Sequence, residues 1–318
     1  MTTIRIGTRG SALALWQARF VAASLRTRKP HAQIDLVEIA STGDRVADVP
    51  LASVEGTGFF TATLERALLD GRVDVAVHSY KDLPVAHTPG LVVAAVPSRG
   101  PIEDVLCARD GLTLEALPAG ASIGTCSTRR TAQVRAIRAD LDIQPLRGNV
   151  PTRVGRVTAG ELDAIVLARA GLARLGLEFH ISQVFPASVV MPAPAQGALA
   201  VQCRADADQL VPLLAALDDD ATRRAVAAER TVLHALGGGC SVPVGAYATF
   251  ANGEILLTAG VFALDQPRAV RTEVRGTDPD VVGREAARRL IDAGADDILA
   301  SFGKAERSAW PVPTEVLR

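Results

Sequence analysis

The chain has 318 residues, with 34 Lys and Arg against 35 Asp and Glu, for a formal net charge of −1 at pH 7. A chain of this length usually forms two or three domains. Its balanced charge excludes the global basic field by which many proteins attract nucleic acid, so any anion site must come from local clustering.

The four cysteines are widely spaced and form neither a C-x-x-C pair nor a Cys/His cluster, which argues against a metal site and a disulfide framework. Free thiols are typical of a reducing compartment. The N-terminus lacks the apolar segment of a signal peptide, and no run of about 18 apolar residues follows. We therefore expect a cytoplasmic protein without a membrane partner.

The N-terminal part alternates between strand and helix patterns. TIRIG predicts a strand, and a helix follows from Ser11 with Leu13, Trp16 and Phe20 on one face. Further strands and one helix are predicted at residues 34–39, 73–79, 91–97 and 60–69. Nearly continuous apolar strands are typical of parallel sheets that are covered on both faces, so a doubly wound α/β domain is expected.

The segment PSRGP (97–101) predicts a hinge, because it is dense in Pro and Gly. After it the alternation begins again with ASIGT, a helix from Ser127, IQPLRG, a helix through Val157 and LDAIVLA, which indicates a second α/β domain. MPAPAQGALAVQCR (191–204) then predicts a return crossing, in which the strand GALAVQC rejoins the first domain. Two crossings would make a two-hinged clamp.

The C-terminal part predicts a small α+β domain, in which strands follow one another and helices lie at the ends. A long helix is expected from Asp219 to Leu236, and a last helix over 279–293. The predicted domain boundaries are 1–97 with 198–216, 102–191, and 219–318.

Two loops that join a strand to a helix carry arginines. In GTRGS, Ser11 can cap the helix while Arg9 faces an incoming anion. GTCSTRR repeats this layout with Ser127 or Thr128 as the cap. Its two arginines lie in the first helical turn, where the helix dipole disfavours each cation by about 0.3–1 kcal/mol. Such an arrangement indicates an anionic ligand, and the alternative is an ordinary turn with solvated arginines.

LRGNVPTR adds Arg147 and Arg153 at the next strand end, the edge at which open α/β sheets bind ligands. Together with Arg129 and Arg130 they make four arginines near neighbouring strand ends. Because a guanidinium binds a carboxylate through two parallel hydrogen bonds, the cluster indicates a small polycarboxylate ligand.

Two further segments carry candidate reactive groups. VHSYKDLP closes a strand with His78, Lys81 and Asp82 close together, either as a satisfied ion pair or with Asp82 in the cleft to balance a developing cation. HALGGGCSVPVG places Cys240 directly after three glycines, which allow close approach of the backbone to a bulky group. Cys240 is either an inert loop cysteine or an attachment point.

TRGSALALWQA, VAVHSYKDLP, GTCSTRR, LRGNVPTR and ERTVLHALGGGCSVPVG resemble, in this order, the signature segments of the hydroxymethylbilane synthase (porphobilinogen deaminase) family. The resemblance covers essentially the whole chain. It implies a transferase of tetrapyrrole (haem and porphyrin) biosynthesis, which condenses four porphobilinogen molecules head to tail into hydroxymethylbilane with loss of ammonia. The implied fold has two hinged domains like those of periplasmic binding proteins and a smaller α+β domain, in a monomer.

By the same resemblance, a dipyrromethane cofactor built from the substrate is attached to Cys240 through a thioether and elongated there. Asp82 is the implied catalytic carboxylate, which contacts pyrrole nitrogens, assists loss of ammonia and stabilises the azafulvenium cation. The other implied cofactor-binding residues are Lys81, Ser127, Arg129, Arg130 and Gly148. The implied substrate-binding residues are Arg9, Ser11, Arg147, Arg153, Arg174 and Gln196.

Three positions depart from the family pattern. Thr57 stands where many relatives carry a lysine between two glycines, which bears on how the loop 46–59 covers the cleft. Gly237 stands where a glutamate is common. Cys126 replaces a usual serine and is a second candidate reactive thiol.

Two other classes of function stay open. A non-catalytic clamp for small anions could use the same two domains, because fold does not imply function, but it would need neither Asp82 nor Cys240. A thiol enzyme with Cys240 as a transient nucleophile would need a histidine partner, and His234 falls on the preceding predicted helix.

Overall fold

The computed structural model describes residues 3–39, 59–239 and 242–309. Within these ranges the chain forms two five-stranded sheets and one three-stranded sheet. Cys240, Thr57 and the loop 46–58 lie outside the described residues.

The strands and helices are named here in chain order, with bounds as the structure has them. The strands are β1 (Thr3–Thr8), β2 (Gln33–Glu38), β3 (Val75–Ser79), β4 (Leu91–Ala95), β5 (Asp104–Ala108), β6 (Ser122–Gly124), β7 (Asp142–Gln144), β8 (Ala164–Ala168), β9 (Gln183–Val184), β10 (Leu199–Arg204), β11 (Val244–Ala251), β12 (Glu254–Phe262) and β13 (Ala269–Gly276). The α-helices are α1 (Ala12–Arg28), α2 (Phe59–Leu69), α3 (Thr128–Ile137), α4 (Val150–Thr158), α5 (Arg169–Leu175), α6 (Leu210–Ala215), α7 (Asp220–Ala235), α8 (Pro279–Asp292) and α9 (Ala295–Ala309).

The first sheet has the strand order β2-β1-β3-β10-β4. β1 is parallel to β2 and β3, whereas β10 is antiparallel to β3 and β4. The prediction that GALAVQC rejoins the first sheet is therefore confirmed. β4 runs in the same direction as β1, β2 and β3, as expected of a parallel strand, but the antiparallel β10 lies between it and β3. β4 is apolar because both of its faces are buried, one against Leu214 of α6 and the other against Val226 of α7.

The second sheet has the same arrangement, in the order β7-β6-β8-β5-β9. β6 is parallel to β7 and β8, and β5 is antiparallel to β8 and β9. In each sheet the antiparallel strand next to the centre is the one that leaves the hinge. We call the units built on these two sheets the first and second lobes. Sequence analysis missed β5, because its first residue, Asp104, is charged.

The third sheet is an antiparallel meander, β11-β12-β13, which packs against α7 and α8. The predicted helix from Asp219 to Leu236 is confirmed, with these two residues as its caps. The prediction that the helix over 279–293 is the last one is wrong. Gly294, at φ +91°, interrupts the helical conformation after α8, and α9 begins at the next residue.

The predicted apolar face of α1 turns out to face the second lobe. The Trp16 and Phe20 rings stack at 5.5 Å between centroids, and the Arg174 guanidinium of α5 lies 5.6 Å from the Trp16 ring. The side that packs on the first sheet carries smaller residues, among them Ala18 and Val21. The large residues of α1 therefore contribute to the contact between the lobes.

The two hinge segments touch through glycine. The Gly100 N–H donates to the Gly197 carbonyl oxygen at 3.1 Å. Gly197 has φ +85°, and a Cβ there would lie 2.6 Å from the carbonyl oxygens of Gly100 and Pro101. Both the backbone conformation and the close approach therefore require glycine at this position.

A buried carboxylate joins the hinge to the third sheet. Glu229 of α7 is 0 % exposed and accepts hydrogen bonds from Arg99 Nη1 at 2.7 Å and Nη2 at 2.9 Å. It also accepts from the backbone N–H of Ala195 at 2.6 Å and of Ala248 at 2.7 Å. Arg99 and Ala195 belong to the two hinge segments, so one side chain holds both segments against α7 and β11.

We expect Glu229→Gln to lower the free energy of unfolding by about 3–5 kcal/mol, because removing one partner leaves the other charge buried without compensation. The control is Glu285→Gln on α8, whose carboxylate also pairs with two arginines, Arg288 and Arg289, but in contact with water. Because water can replace those bonds, the free energy of unfolding should fall far less in the control. Urea unfolding measures both, and equal losses would contradict the structural role of Glu229.

Candidate functional site

Side chains from both lobes meet beside the hinge. Lys81 follows β3 in a short 3₁₀ turn, Tyr80–Asp82, and its Nζ donates to Gln196 Oε1 at 3.2 Å. Gln196 Nε2 donates to Asp104 Oδ1 at 3.0 Å, at the start of β5. This chain of hydrogen bonds runs from the first lobe through the second hinge segment into the second lobe.

Asp104 binds the two arginines at the start of α3. It is 0 % exposed and accepts from Arg129 Nη1 at 2.7 Å and from Arg130 Nη2 at 2.7 Å. Burial by itself would raise the pKa of the Asp104 carboxyl, but Arg129 and Arg130 hold this pKa well below its usual range. The anion that sequence analysis expected beside these arginines is thus, in the first place, the chain's own Asp104.

Among the residues that the structure describes, the cations at this place outnumber the carboxylates that act on them. Arg130 makes one bond from each of its three nitrogens, two to Asp104 and one to the Val166 carbonyl oxygen. A guanidinium has five N–H donors, so these bonds do not exhaust it. The neighbouring cations Lys81 and Arg153 outnumber Asp82, the carboxylate that lies near both. The donor set therefore fits a ligand that carries carboxylates, as the dipyrromethane implied by the sequence resemblance does.

Asp82 lies among the cations. It is exposed, and its charge acts on both Lys81 and Arg153. Burial lowers the pKa of Lys81 to about 8, helped by repulsion from Arg130 and opposed by Asp82 and Asp104. Burial and Arg130 also lower the pKa of Arg153, against the attraction of Asp82. An exposed anion in this position can balance positive charge that develops on a bound molecule.

His78 does not belong to this group, so its expected clustering with Lys81 and Asp82 is wrong. Its ring Nε2 lies 3.1 Å from Gln202 Oε1 inside the first sheet, and Gln202 Nε2 donates to Glu65 Oε1. Burial lowers the pKa of His78 to about 4, so the ring is neutral near pH 7. His78 lies within β3, where its position in the strand decides which face its side chain points to, whereas Lys81 and Asp82 lie in the turn that follows. Closeness along the sequence did not show that these side chains point in different directions.

The two candidate serines cap helices. Ser11 Oγ accepts from the Ala14 N–H at the start of α1, and Ser127 Oγ accepts from the Arg130 N–H at the start of α3, both at 3.4 Å. Arg9 is half-buried in the loop before α1, at the carboxyl end of β1. The predicted caps are therefore confirmed, and they orient the helices that carry the candidate binding residues.

The loop between β7 and α4 holds two more candidates, Arg147 and Gly148, and a third, Arg153, lies in α4. Gly148 has φ +107°, a conformation that favours glycine, and its carbonyl oxygen accepts from Arg153 Nε at 2.7 Å. Arg147 is half-buried directly before it. The exposed Cys126 Sγ lies 3.1 Å from both the Leu146 N–H nitrogen and the Leu146 carbonyl oxygen, which ties this loop to the one before α3.

Arg174 lies at the hinge. Its Nη2 donates to the Gly197 carbonyl oxygen at 2.6 Å, and its guanidinium lies over the Trp16 ring. Burial lowers the pKa of Arg174 to about 10, so it remains a cation at neutral pH. The contact assigns it to the junction between the lobes, next to Gln196.

The cysteines differ in reactivity. Cys107 and Cys203 are buried, and burial raises their thiol pKa values to about 12 and about 11. Both are therefore poor nucleophiles.

The local structure favours glycine at two of the three positions before Cys240, Gly237 and Gly238. Gly237 has φ +64°, and a Cβ on Gly238 would lie 2.8 Å from Leu233 Cδ1.

Two further findings concern the described residues alone. They contain no group of three or more His, Cys, Asp or Glu side chains arranged to hold a metal ion. Among the helices of that part of the chain, none combines the length and apolarity that spanning a bilayer requires.

The fold consists of two doubly wound lobes, hinged beside a cationic site and followed by an α+β unit, and this is the fold class that the sequence predicts. The family models "Porphobilinogen deaminase, dipyromethane cofactor binding domain" and "Porphobilinogen deaminase, C-terminal domain" match residues 4–212 and 223–292. The chain belongs to the porphobilinogen deaminase family.

Curated relatives agree. The porphobilinogen deaminase of Brevibacillus brevis is 46% identical over 93% of this chain and 96% of its own length. That of Thermobifida fusca is 49% identical over 94% of this chain and 96% of its own length. Among solved structures, a periplasmic binding protein of Salmonella typhimurium with high arginine specificity is 14% identical, with a TM-score of 0.39 over 70% of this chain and 94% of its own.

We expect Arg130→Lys to lower the turnover of porphobilinogen by about tenfold or more, because one ammonium cannot replace the two-point contact with Asp104 and still face a ligand. Arg156→Lys is the matched control, since Arg156 is exposed on α4 and pairs with Glu161 at 3.3 Å. Steady-state kinetics measure both variants. Wild-type turnover in Arg130→Lys would show that planar recognition is not used here.

Proposed function

We propose how this chain carries out hydroxymethylbilane synthase activity, the condensation of four porphobilinogen molecules with release of ammonia. The growing chain is held through a thioether at Cys240, and Asp82 is the catalytic carboxylate. The observation that carries the proposal is an exposed Asp82 that lies within electrostatic reach of the Lys81 and Arg153 cations from both lobes. Family membership favours this enzyme over a non-catalytic anion clamp.

The role of Asp82 follows from charge. Loss of ammonia from porphobilinogen leaves a cation on the pyrrole, and the surrounding arginines would repel it. An anion at contact distance offsets that charge, and Asp82 is the carboxylate beside these cations that is exposed to a bound molecule. Asp82 also accepts a hydrogen bond from the pyrrole N–H, which fixes the ring while the new bond forms.

The cations hold the acetate and propionate arms. Arg130 and Lys81 are pre-aimed by Asp104 and Gln196, and Arg153 by the Gly148 carbonyl oxygen. When bound, dipyrromethane supplies the nucleophilic pyrrole carbon to which each new unit is added. The complete proposed binding set is Arg9, Ser11, Lys81, Ser127, Arg129, Arg130, Arg147, Gly148, Arg153, Arg174 and Gln196.

The assignment of the thioether to Cys240 rests on the reactivity of the other thiols and on the family signature. Cys107 and Cys203 are buried with raised thiol pKa values, and Cys126 contacts the backbone of Leu146. We further propose three domains, 1–97 with 198–216, 102–191 and 219–318. We also propose that the enzyme is monomeric and cytoplasmic. We expect no nucleic-acid partner, in agreement with the net charge of −1.

The purified protein should be heavier than its sequence by one dipyrromethane, and the excess should map to the peptide that contains Cys240. Cys240→Ser should give a folded, inactive chain of unmodified mass. Cys126→Ser is the control and should keep the excess. Intact and peptide mass spectrometry decides, and an unmodified Cys240 in protein that turns over porphobilinogen would contradict the attachment.

Asp82→Asn should lower the rate of the chemical step by roughly 10²-fold or more, because it keeps the shape but removes the negative charge. Asp82→Glu should retain more activity than the amide. Asp110→Asn is the control, since Asp110 is also an exposed carboxylate in a 3₁₀ turn, Arg109–Gly111, which follows β5 in the second lobe. Single-turnover kinetics measure the effect, and near-normal chemistry in Asp82→Asn would assign the role to another group.

A further inference from the structure

Asp104 contacts three of the proposed binding residues, Arg129, Arg130 and Gln196, although its side chain is 0 % exposed and cannot touch substrate. We propose that Asp104 is a positioning residue, which fixes the planes of Arg129 and Arg130 and, through Gln196, their placement relative to Lys81. This inference rests on the proposed function, because it concerns the donors that would hold the carboxylate arms.

The geometry fixes Arg130 at three points. Its Nε and Nη2 donate to Asp104 Oδ1 at 3.1 and 2.7 Å, and its Nη1 donates to the Val166 carbonyl oxygen at 3.0 Å. The second carboxylate oxygen, Oδ2, accepts from Arg129 Nη1 at 2.7 Å. A planar group held at three points cannot rotate, so the direction of its remaining N–H donors is set before a ligand arrives.

Charge gives a second reason for this role. Two adjacent guanidinium groups at the start of α3 repel each other and are disfavoured by the helix dipole. Asp104 neutralises one of the two charges and leaves a net positive charge for a ligand. Because the cations are already assembled, binding does not have to supply the free energy that would bring them together.

The third reason is the connection between the lobes. Gln196 Nε2 donates to Asp104 Oδ1 at 3.0 Å and to the Ile102 carbonyl oxygen at 2.7 Å, while Gln196 Oε1 accepts from Lys81. Both lobes and the second hinge segment therefore meet at one amide. A shift of Asp104 would change where Lys81 stands relative to the two arginines.

The test compares Asp104→Asn with Asp163→Asn. Asp163 is the matched control, because its carboxylate accepts from the Ser122 N–H and hydroxyl and from Arg109 in the same lobe, outside the proposed site. For each variant we would measure the KM for porphobilinogen, the fraction of chains that carry the primer by intact mass, and the thermal midpoint. If the wild-type protein lacked primer and turnover, the proposed function would be overturned. That result is distinct from a failure of the positioning role, which concerns the Asp104 variant alone.

For Asp104→Asn we expect a KM raised by about tenfold or more and a reduced primer-bearing fraction. Combining it with Arg130→Lys should add less than about twofold, because residues that act through one contact are not additive. Asp163→Asn should lower only the thermal midpoint. A KM and primer fraction in Asp104→Asn that match the control, or additive losses in the double variant, would overturn the proposal.

If Asp104→Asn does not fold, Gln196→Met decides the matter. It keeps both arginine pairs of Asp104 and removes the bridge to Lys81. We expect its KM for porphobilinogen to rise by several-fold while the primer stays attached. An unchanged KM would overturn the inference that Asp104 and Lys81 act as one positioned set.

Discussion

The buried pairing of Glu229 with Arg99 is the constraint on which the arrangement of the three sheets depends. Both hinge segments, α7 and β11 meet at this carboxylate, which accepts four hydrogen bonds. The orientation of the two lobes depends on the positions of the two hinge segments, so these segments must be held in place. The ion pair holds both segments in place, and Gly197 allows them to lie in contact beside it.

The same physical device recurs at Asp104, where it serves binding. The buried Asp104 carboxylate binds two arginines and holds them in place, and it neutralises part of their positive charge beside the hinge. In the other lobe, the exposed Asp82 carboxylate attracts the Lys81 and Arg153 cations. In the mechanism we propose, Asp104 orients the cations that hold the substrate's arms, and Asp82 offsets the cation that the reaction creates.

Local features could be predicted from sequence, and long-range pairings could not. The caps Ser11 and Ser127 follow from side chains a few residues from the helices they begin, and the helical pattern from Asp219 predicts α7. The apolar run of GALAVQC predicts its return to the first sheet as a strand. Sequence analysis recognised that Arg129 and Arg130 need an anion, but it missed Asp104, an acidic residue that opens an apolar strand 26 positions before Arg130. Nothing local marks Arg99 and Glu229 as partners across 130 positions.

The central claim is that substrate units are added, one after another, to a primer on Cys240 in a site whose cations are aimed by buried carboxylates. The most direct test is to mix the purified protein briefly with porphobilinogen, quench it, and measure intact and peptide masses. The account predicts a ladder of species, each heavier by one pyrrole unit, with every addition on the peptide that contains Cys240. Product formation without such a ladder, or additions on the peptide that contains Cys126, would contradict it.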